Sequence, residues 1–214
     1  MFRPNTIHSS LSLRDKIYSF DYILVFSILI LGIISMFAMY STDGGEINYH
    51  TKNHIIRFIV FFILFLIFSL FQINIWFSTS ILLYILFFGL LICVKYFGLT
   101  SSGSQRWLNL YFMNLQPSEL MKIGLLLFLA RYYHQISTRD VNKVKYLFIP
   151  FTAVFAPVLL VVAQPDLGTS ILIAAGGIIV VWLAGVRMKL FAYASILFLS
   201  LAPIAISFLK PYQK

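Results

Sequence analysis

Long apolar runs constrain this chain more than any other feature of its sequence. An α-helix needs about 20 apolar residues to cross the hydrocarbon core of a bilayer. Open strands cannot satisfy their backbone polar groups in lipid, so helices are the expected spanning elements. Seven runs approach this length, at about 21–40, 55–72, 75–94, 117–133, 147–164, 168–185 and 190–209. We therefore predict an all-α, polytopic integral membrane bundle of about seven transmembrane helices.

The composition excludes a soluble domain. Of the 214 residues, 60% are hydrophobic and only 11% are charged, whereas about 25% of the residues of a soluble domain are charged. The net charge of +9 comes mostly from short gaps between the apolar runs. There Lys and Arg meet lipid headgroups, and we expect no nucleic-acid partner. Cys93 is the only cysteine, which excludes an internal disulfide and a cysteine-based metal site.

Lys and Arg also set the expected orientation. The first apolar run starts near Tyr22 and lacks a small-residue cleavage site, so it predicts a retained span rather than a signal peptide. If residues 1–20 form a cytoplasmic N-terminal segment, nine Lys and Arg residues fall in cytoplasmic segments and six in outer segments. This bias favours a cytoplasmic N-terminus. It places the gap at 95–116 and the turn at 164–168 on the outer face.

Charged and aromatic side chains interrupt the apolar pattern in the stretch "GSQRWLNLYFMNLQPSELMK". Pro117 suits the first turn of a helix, and Glu119 would then face free backbone N–H groups, so helix capping is one interpretation. Lys122 lies three residues further along the same face. A pair with Glu119 that turns into the bundle lowers the cost of a charge in lipid, and intramembrane charges are candidates for function. Arg106 and Trp107 are either a headgroup contact and an interfacial anchor or part of the same site.

A second polar interruption is "AQPDLGTSILIAAGG". Gln164 and Pro165 end one span, and Asp166 falls in the first turn of the next, where capping and function both stay open. The small residues that follow predict a face for close helix packing, namely Gly168, Ser170, Ala174, Ala175, Gly176 and Gly177. The four histidines share no ligand spacing, so no metal site or cofactor is evident.

The motifs "GSQRWLNL", "QPSELMKI" and "AQPDLGTSILIA", in this order and spacing, closely resemble those of the SEDS family of bacterial cell-wall proteins. That family comprises RodA, FtsW and SpoVE. The segments "MYSTDGG", "QPDLGTSIL" and "PYQK" most resemble its rod-shape members. The resemblance covers essentially the whole chain. It implies the front part of a fold of about ten helices in the bacterial inner membrane, with a cytoplasmic N-terminus.

The resemblance also implies an activity and its residues. Family members are peptidoglycan glycosyltransferases that polymerise lipid II for cell elongation and rod shape. They work with a class B penicillin-binding protein, and a divalent cation is implied. Trp107 matches the family's outer-loop tryptophan and Arg106 the basic residue beside it. Glu119 and Lys122 match its paired charges in span four, and Asp166 matches the aspartate of its Q-P-D-L-G turn. By this analogy Arg106 and Lys122 stabilise charge that develops on the pyrophosphate leaving group, and Trp107 stacks on a sugar or shapes the lipid entrance.

The sequence departs from the family pattern at one point. The family's catalytic aspartate lies in a Glu-Arg-His-Thr-Asp-Phe-like motif of a large outer loop after span seven. No segment up to Lys214 contains that motif. We therefore expect a SEDS membrane domain over 1–214 that is truncated before this loop, without a catalytic residue or polymerase activity of its own. A lipid-linked precursor flippase and a non-catalytic scaffold of the cell-wall machinery stay open as alternatives.

Overall fold

The computed structural model describes residues 13–101, 104–110 and 114–191. Within these ranges the chain forms helices and three short strands. In chain order they are α1 (Leu13–Tyr18), α2 (Tyr22–Thr42), α3 (Tyr49–Ser69), α4 (Ile73–Phe97), β1 (Leu99–Ser101), β2 (Ser104–Asn109), β3 (Asn114–Leu115), α5 (Pro117–His134), α6 (Val144–Val162) and α7 (Leu167–Leu183). Helices α2 to α7 occupy the first six predicted runs, and the seventh run lies outside the described residues beyond position 191. The predicted helical membrane fold is confirmed.

Four of these helices, α2, α3, α4 and α6, are long and apolar enough to cross a membrane by their length and composition. Helix α7 is also apolar but has 17 residues. Helix α5 has 18 residues, with Glu119 and Lys122 near its start and Arg131 and His134 in its last turn. Large apolar side chains such as Ile23 and Phe37 are exposed on the spanning helices. Lipid rather than water suits such a surface, so the chain is a multi-pass membrane protein.

The chain divides into two compact units, residues 1–73 and 74–214. The first unit holds α1 to α3, and the second holds α4 to α7 with the strands. Within the first unit, the Nζ of Lys16 donates a hydrogen bond of 2.9 Å to the carbonyl of Leu70. This bond ties the short helix α1 to the end of α3.

In the first unit α2 and α3 form a helical hairpin. Its turn uses Gly44 and Gly45, whose φ angles of +82° and +84° favour glycine. Asp43 accepts hydrogen bonds from the Thr51 hydroxyl at 2.6 Å and the Thr51 backbone N–H at 2.9 Å. These bonds to the ionised carboxylate lower the pKa of Asp43. The carboxylate thus joins the turn to the first residues of α3.

The second unit is built around α5. Its buried residues face α4, α6 and α7, and together they form an apolar core of Leu91, Met121, Leu125, Leu129, Ala153, Val154, Val161 and Ile173. Gly177 of α7 allows α6 to approach closely, because a Cβ at Gly177 would lie 2.5 Å from Cγ2 of Val154. Of the residues predicted to form a small-residue face, Gly177 is used for close helix packing, whereas Gly168 and Ala175 are exposed.

Helix α6 contains two buried prolines, Pro150 and Pro157. A proline has no N–H, so the carbonyl four residues before it loses its helical partner. The hydroxyl of Tyr84 on α4 donates to the carbonyl of Ala153 at 2.9 Å. In the same way, the hydroxyl of Tyr132 on α5 donates to the carbonyl of Tyr146 at 2.9 Å. Both carbonyls lie four residues before a proline, so tyrosines of neighbouring helices replace both missing bonds.

The segment between α4 and α5, which the sequence predicted only as a polar gap, contains a small antiparallel sheet in the order β1-β2-β3. Trp107 of β2 pairs with Leu99 of β1, and Leu108 pairs with Leu115 of β3. Apolar runs gave no signal for these strands because they have three, six and two residues. The sheet places Arg106 and Trp107 on a strand rather than on an irregular loop.

Candidate functional site at the starts of α5 and α7

The two motif segments meet at one end of the second unit. Helix α5 packs against α7, and β2 lies beside the start of α5. From β2 the guanidinium of Arg106 reaches the start of α7, where its terminal nitrogen donates a 2.6 Å hydrogen bond to the carbonyl of Pro165. Its Nε lies 3.7 Å from the Oδ2 of Asp166. We call this arrangement of Arg106, Pro165 and Asp166 the latch.

Asp166 is buried and caps α7. Its Oδ1 accepts a 3.3 Å hydrogen bond from the backbone N–H of Thr169, and its Oδ2 accepts one of 2.9 Å from the Thr169 hydroxyl. The amide of Gln116, the residue before α5, donates to the same Oδ2 at 3.4 Å. A helix N-terminus stabilises a negative charge, and the facing guanidinium adds to that effect. Asp166 therefore caps a helix and also connects α7 to the sheet and to α5.

In the latch, Arg106 has one side-chain donor without a hydrogen-bond partner in the described part of the chain. Its side chain is 36% exposed, yet its Nε is buried and has no hydrogen-bond partner among the described residues. The guanidinium therefore faces the Asp166 carboxylate with one side and keeps part of its side chain at the surface. The strand thus holds a partly exposed cation at this end.

Glu119 and Lys122 form the predicted pair on α5, with 2.8 Å between Oε2 and Nζ. The expectation that both side chains point into the bundle holds for Lys122 but is wrong for Glu119, whose side chain is 53% exposed while that of Lys122 is 25% exposed. The reason is the helical phase: Ser118 and Met121 take the buried face, and Glu119 lies to one side of it. Only the lysine is enclosed by the protein.

Lys122 lines a half-open cavity of about 180 Å³ between α5 and α7. The other lining residues are Leu125, Leu126, Leu172, Ile173 and Gly176. The lining is almost wholly apolar, so Lys122 contributes its aliphatic stem, while its ammonium group pairs with Glu119 at the edge of this space. A cation next to an apolar cavity suits an amphiphilic ligand with an anionic group.

Gln164 was noted in the sequence only as a break between spans, but it is 5% exposed. Its amide donates a 3.0 Å hydrogen bond to the carbonyl of Leu91 on α4. Gln116 was not singled out at all. The available signal for both was the same, a polar side chain directly before a proline at the edge of an apolar run.

Trp107 lies on β2 next to Arg106 and is 36% exposed. An interfacial anchor and a stacking surface both fit this exposure. Within the described part of the chain, no group of three or more His, Cys, Asp or Glu side chains could hold a metal ion. The carboxylates of the site are already engaged by Thr169, Arg106 and Lys122. The divalent cation implied by the resemblance thus finds no donor set among these carboxylates.

Fold and site together define a polytopic membrane protein with its paired charges gathered at one end of a helix bundle. The FTSW_RODA_SPOVE family, described as "Cell cycle protein", matches the chain over residues 16–214. The chain belongs to the FtsW/RodA/SpoVE family, as the sequence motifs indicated.

Individual relatives agree with this assignment. The peptidoglycan glycosyltransferase MrdB of Escherichia coli K12 is 43% identical over 135 residues, which are 62% of this chain and 35% of that protein. One solved chain comes from a peptidoglycan synthase complex that coordinates polymerization and crosslinking, with a TM-score of 0.75 at 25% identity, over 91% of this chain and 57% of that chain.

Rod shape determining protein RodA of Thermus thermophilus has the same fold, with a TM-score of 0.71 at 24% identity, over 83% of this chain and 60% of that chain. This chain spans less than two thirds of the length of each of these three proteins.

Proposed function

We propose that this chain is part of a RodA-like peptidoglycan glycosyltransferase that polymerises lipid II for cell elongation and rod shape. The observation that carries the proposal is the contact of Arg106 with Asp166 at the end of the bundle where α5, with Lys122, also begins. This chain is 43% identical over 135 residues to a peptidoglycan glycosyltransferase. Lipid II is an amphiphile with a pyrophosphate between its sugars and its polyprenyl chain. The cationic group matches the pyrophosphate of lipid II, and the apolar cavity matches its polyprenyl chain.

The chemistry proposed for these residues is electrostatic. When the glycosidic bond forms, the bond from the donor sugar to the pyrophosphate breaks and negative charge develops on the leaving group. Preorganised cations stabilise such charge best in a site with little water. We assign this role to Lys122, at the edge of the half-open cavity, and to Arg106, whose side chain is 36% exposed. Asp166 holds Arg106 in place, and Gln116 in turn donates to Asp166, so we give both residues positioning roles.

Proton removal from the acceptor sugar is not assigned to any described residue. Asp166 is buried under its own hydrogen bonds, and Glu119 pairs with Lys122. The family resemblance places the catalytic aspartate in a motif that these 214 residues do not contain. The chain would supply donor binding and leaving-group stabilisation to the complete enzyme.

We further propose that the chain lies in the bacterial inner membrane with its N-terminus in the cytoplasm and the latch outside. The basic residues between α5 and α6 support this orientation. In a Cys93→Ser background, Leu110→Cys near the latch should react in intact cells with a membrane-impermeant thiol reagent. Ser137→Cys, at the other end of α5, should react only after the membrane is opened. The opposite labelling pattern contradicts the orientation.

A class B penicillin-binding protein is the proposed partner. The support is the likeness to a chain of a synthase complex that coordinates polymerization and crosslinking. Polymerisation outside the membrane requires that the new strand be cross-linked nearby, so a partner with that activity suits the proposed reaction. Co-purification of this chain with such a protein from the same cells, compared with an unrelated polytopic membrane protein as control, tests the partnership.

A chimera tests the activity itself. We would replace the matching 135-residue segment of the Escherichia coli relative with that of this chain and measure glycan chains formed from lipid II in liposomes. The chimera should produce glycan, and its Lys122→Gln variant should lose at least about tenfold, because removal of one preorganised donor typically costs about 10²–10³ in rate. Lys95→Gln, an exposed change in the last turn of α4, is the matched control and should stay active. A well-expressed chimera without glycan, next to an active parent, contradicts the proposal.

A further inference from the structure

The end of the second unit that lies opposite the latch carries a second cluster of charge. Helix α5 ends here, α6 begins here and α7 ends here, because the three helices alternate in direction along the chain. Two loops cover this end, residues 135–143 before α6 and 184–187 after α7. We propose that these loops form a binding surface for the headgroup of an anionic phospholipid.

The two loops are held together by Asn142. Its Oδ1 accepts a 2.7 Å hydrogen bond from the backbone N–H of Arg187, and its Nδ2 donates one of 3.4 Å to the carbonyl of Gly185. Val141 and Val186, one on each loop, are 2% and 5% exposed. The two buried valines and the Asn142 amide hold the backbone of both loops, which carries the charged side chains.

The exposed side chains of these loops and the adjoining helix start are strongly basic. They are Arg139, Lys143, Lys145, Arg187 and Lys189. The acidic residue among them is Asp140, which lies 2.6 Å from the Nζ of Lys143. That hydrogen bond and charge raise the pKa of Lys143. With five basic side chains against one acidic side chain, the surface keeps a surplus of four positive charges.

Large apolar side chains continue this surface toward the middle of the helices. Phe148 of α6 is 69% exposed, and Trp182 and Leu183 at the end of α7 are 52% and 71% exposed. A basic edge that borders an exposed apolar and aromatic wall matches a phospholipid, with its phosphate on the cations and its acyl chains along the wall. An acidic peptide or a nucleic acid has no acyl chains to contact these apolar side chains, so a lipid is the favoured occupant.

Native mass spectrometry of the purified 214-residue chain tests the proposal, with phosphatidylglycerol and phosphatidylcholine titrated separately. The wild-type chain should bind phosphatidylglycerol more tightly than phosphatidylcholine. The variant Arg187→Gln with Lys189→Gln should bind phosphatidylglycerol about 25-fold more weakly, because each basic residue near an anionic lipid contributes about fivefold, or about 1 kcal/mol. Asn142 bonds to the backbone of Arg187, so this variant keeps the contact between the loops.

The matched control is Lys52→Gln with Lys95→Gln, which removes the same two charges from exposed positions outside the surface. It should retain phosphatidylglycerol binding. Equal wild-type affinity for the two lipids, or equal weakening in the control, overturns the proposal. Displacement of the lipid by inorganic phosphate alone would show a phosphate site instead. Tighter binding of an acidic peptide than of phosphatidylglycerol would show a protein-docking site instead.

Discussion

At the scale of single residues, the charged side chains of the site fall into two arrangements with different surroundings. Asp166 is buried, caps a helix and faces Arg106 across 3.7 Å. Glu119 and Lys122 form a shorter pair of 2.8 Å, in which the Glu119 side chain is about half exposed. The sequence identified all four as candidates because charges are rare next to apolar runs. It could not show that Arg106 and Asp166 meet, since 60 positions separate them in the chain.

The unequal exposure of Glu119 and Lys122 predicts unequal effects of neutralisation. Glu119→Gln leaves an unpaired ammonium beside an apolar cavity, whereas Lys122→Met leaves an exposed carboxylate near a helix start, which is tolerated. Thermal unfolding in detergent should therefore show a clear loss for Glu119→Gln and little loss for Lys122→Met. The double variant should resemble Lys122→Met. Additive effects of the two changes would show that the pair is not coupled.

At the scale of secondary-structure elements, the apolar runs located six helices because length and hydropathy are local properties of the sequence. The sheet between α4 and α5 was missed because β1 and β3 have only three and two residues, and the six residues of β2 show no alternation of apolar and polar side chains. The pairing of tyrosine hydroxyls with the carbonyls before Pro150 and Pro157 was missed for another reason. Its partners lie on different helices, and Tyr84 is 69 positions from Ala153.

That pairing predicts a specific rescue. Tyr84→Phe should destabilise the chain by about 1–3 kcal/mol, because the carbonyl of Ala153 then lacks any donor in an apolar interior. Pro157→Ala restores an N–H four residues after that carbonyl, so Tyr84→Phe should cost much less in the Pro157→Ala background. Tyr96→Phe, an exposed change on the same helix, serves as the control. Unfolding monitored by circular dichroism in detergent would provide the comparison, and an equal cost in both backgrounds would mean that the hydroxyl does not serve this carbonyl.

At the scale of the whole molecule, charge separates into two ends of the second unit. The latch and the Glu119–Lys122 pair lie where α5 and α7 begin, and the basic loops lie where both helices end. The family could be identified from short motifs alone, because three motifs in a fixed order are specific, and the family match over residues 16–214 agrees with them. What the motifs do together is visible only in the fold, which brings "QRW", "QPSE" and "QPDLG" to one end.

Binding of lipid II by the purified chain in nanodiscs tests most directly whether that end recognises a lipid-linked pyrophosphate. We expect saturable binding of fluorescent lipid II that is at least tenfold tighter than binding of undecaprenol. Undecaprenol has the same apolar chain but lacks the pyrophosphate and the sugars. Charge-assisted hydrogen bonds of about 1.5–3 kcal/mol each account for such a difference. Lys122→Gln should remove most of this preference, and Lys95→Gln should not change it. Equal affinity of the wild-type chain for lipid II and undecaprenol, or a preference that survives Lys122→Gln unchanged, would contradict the account.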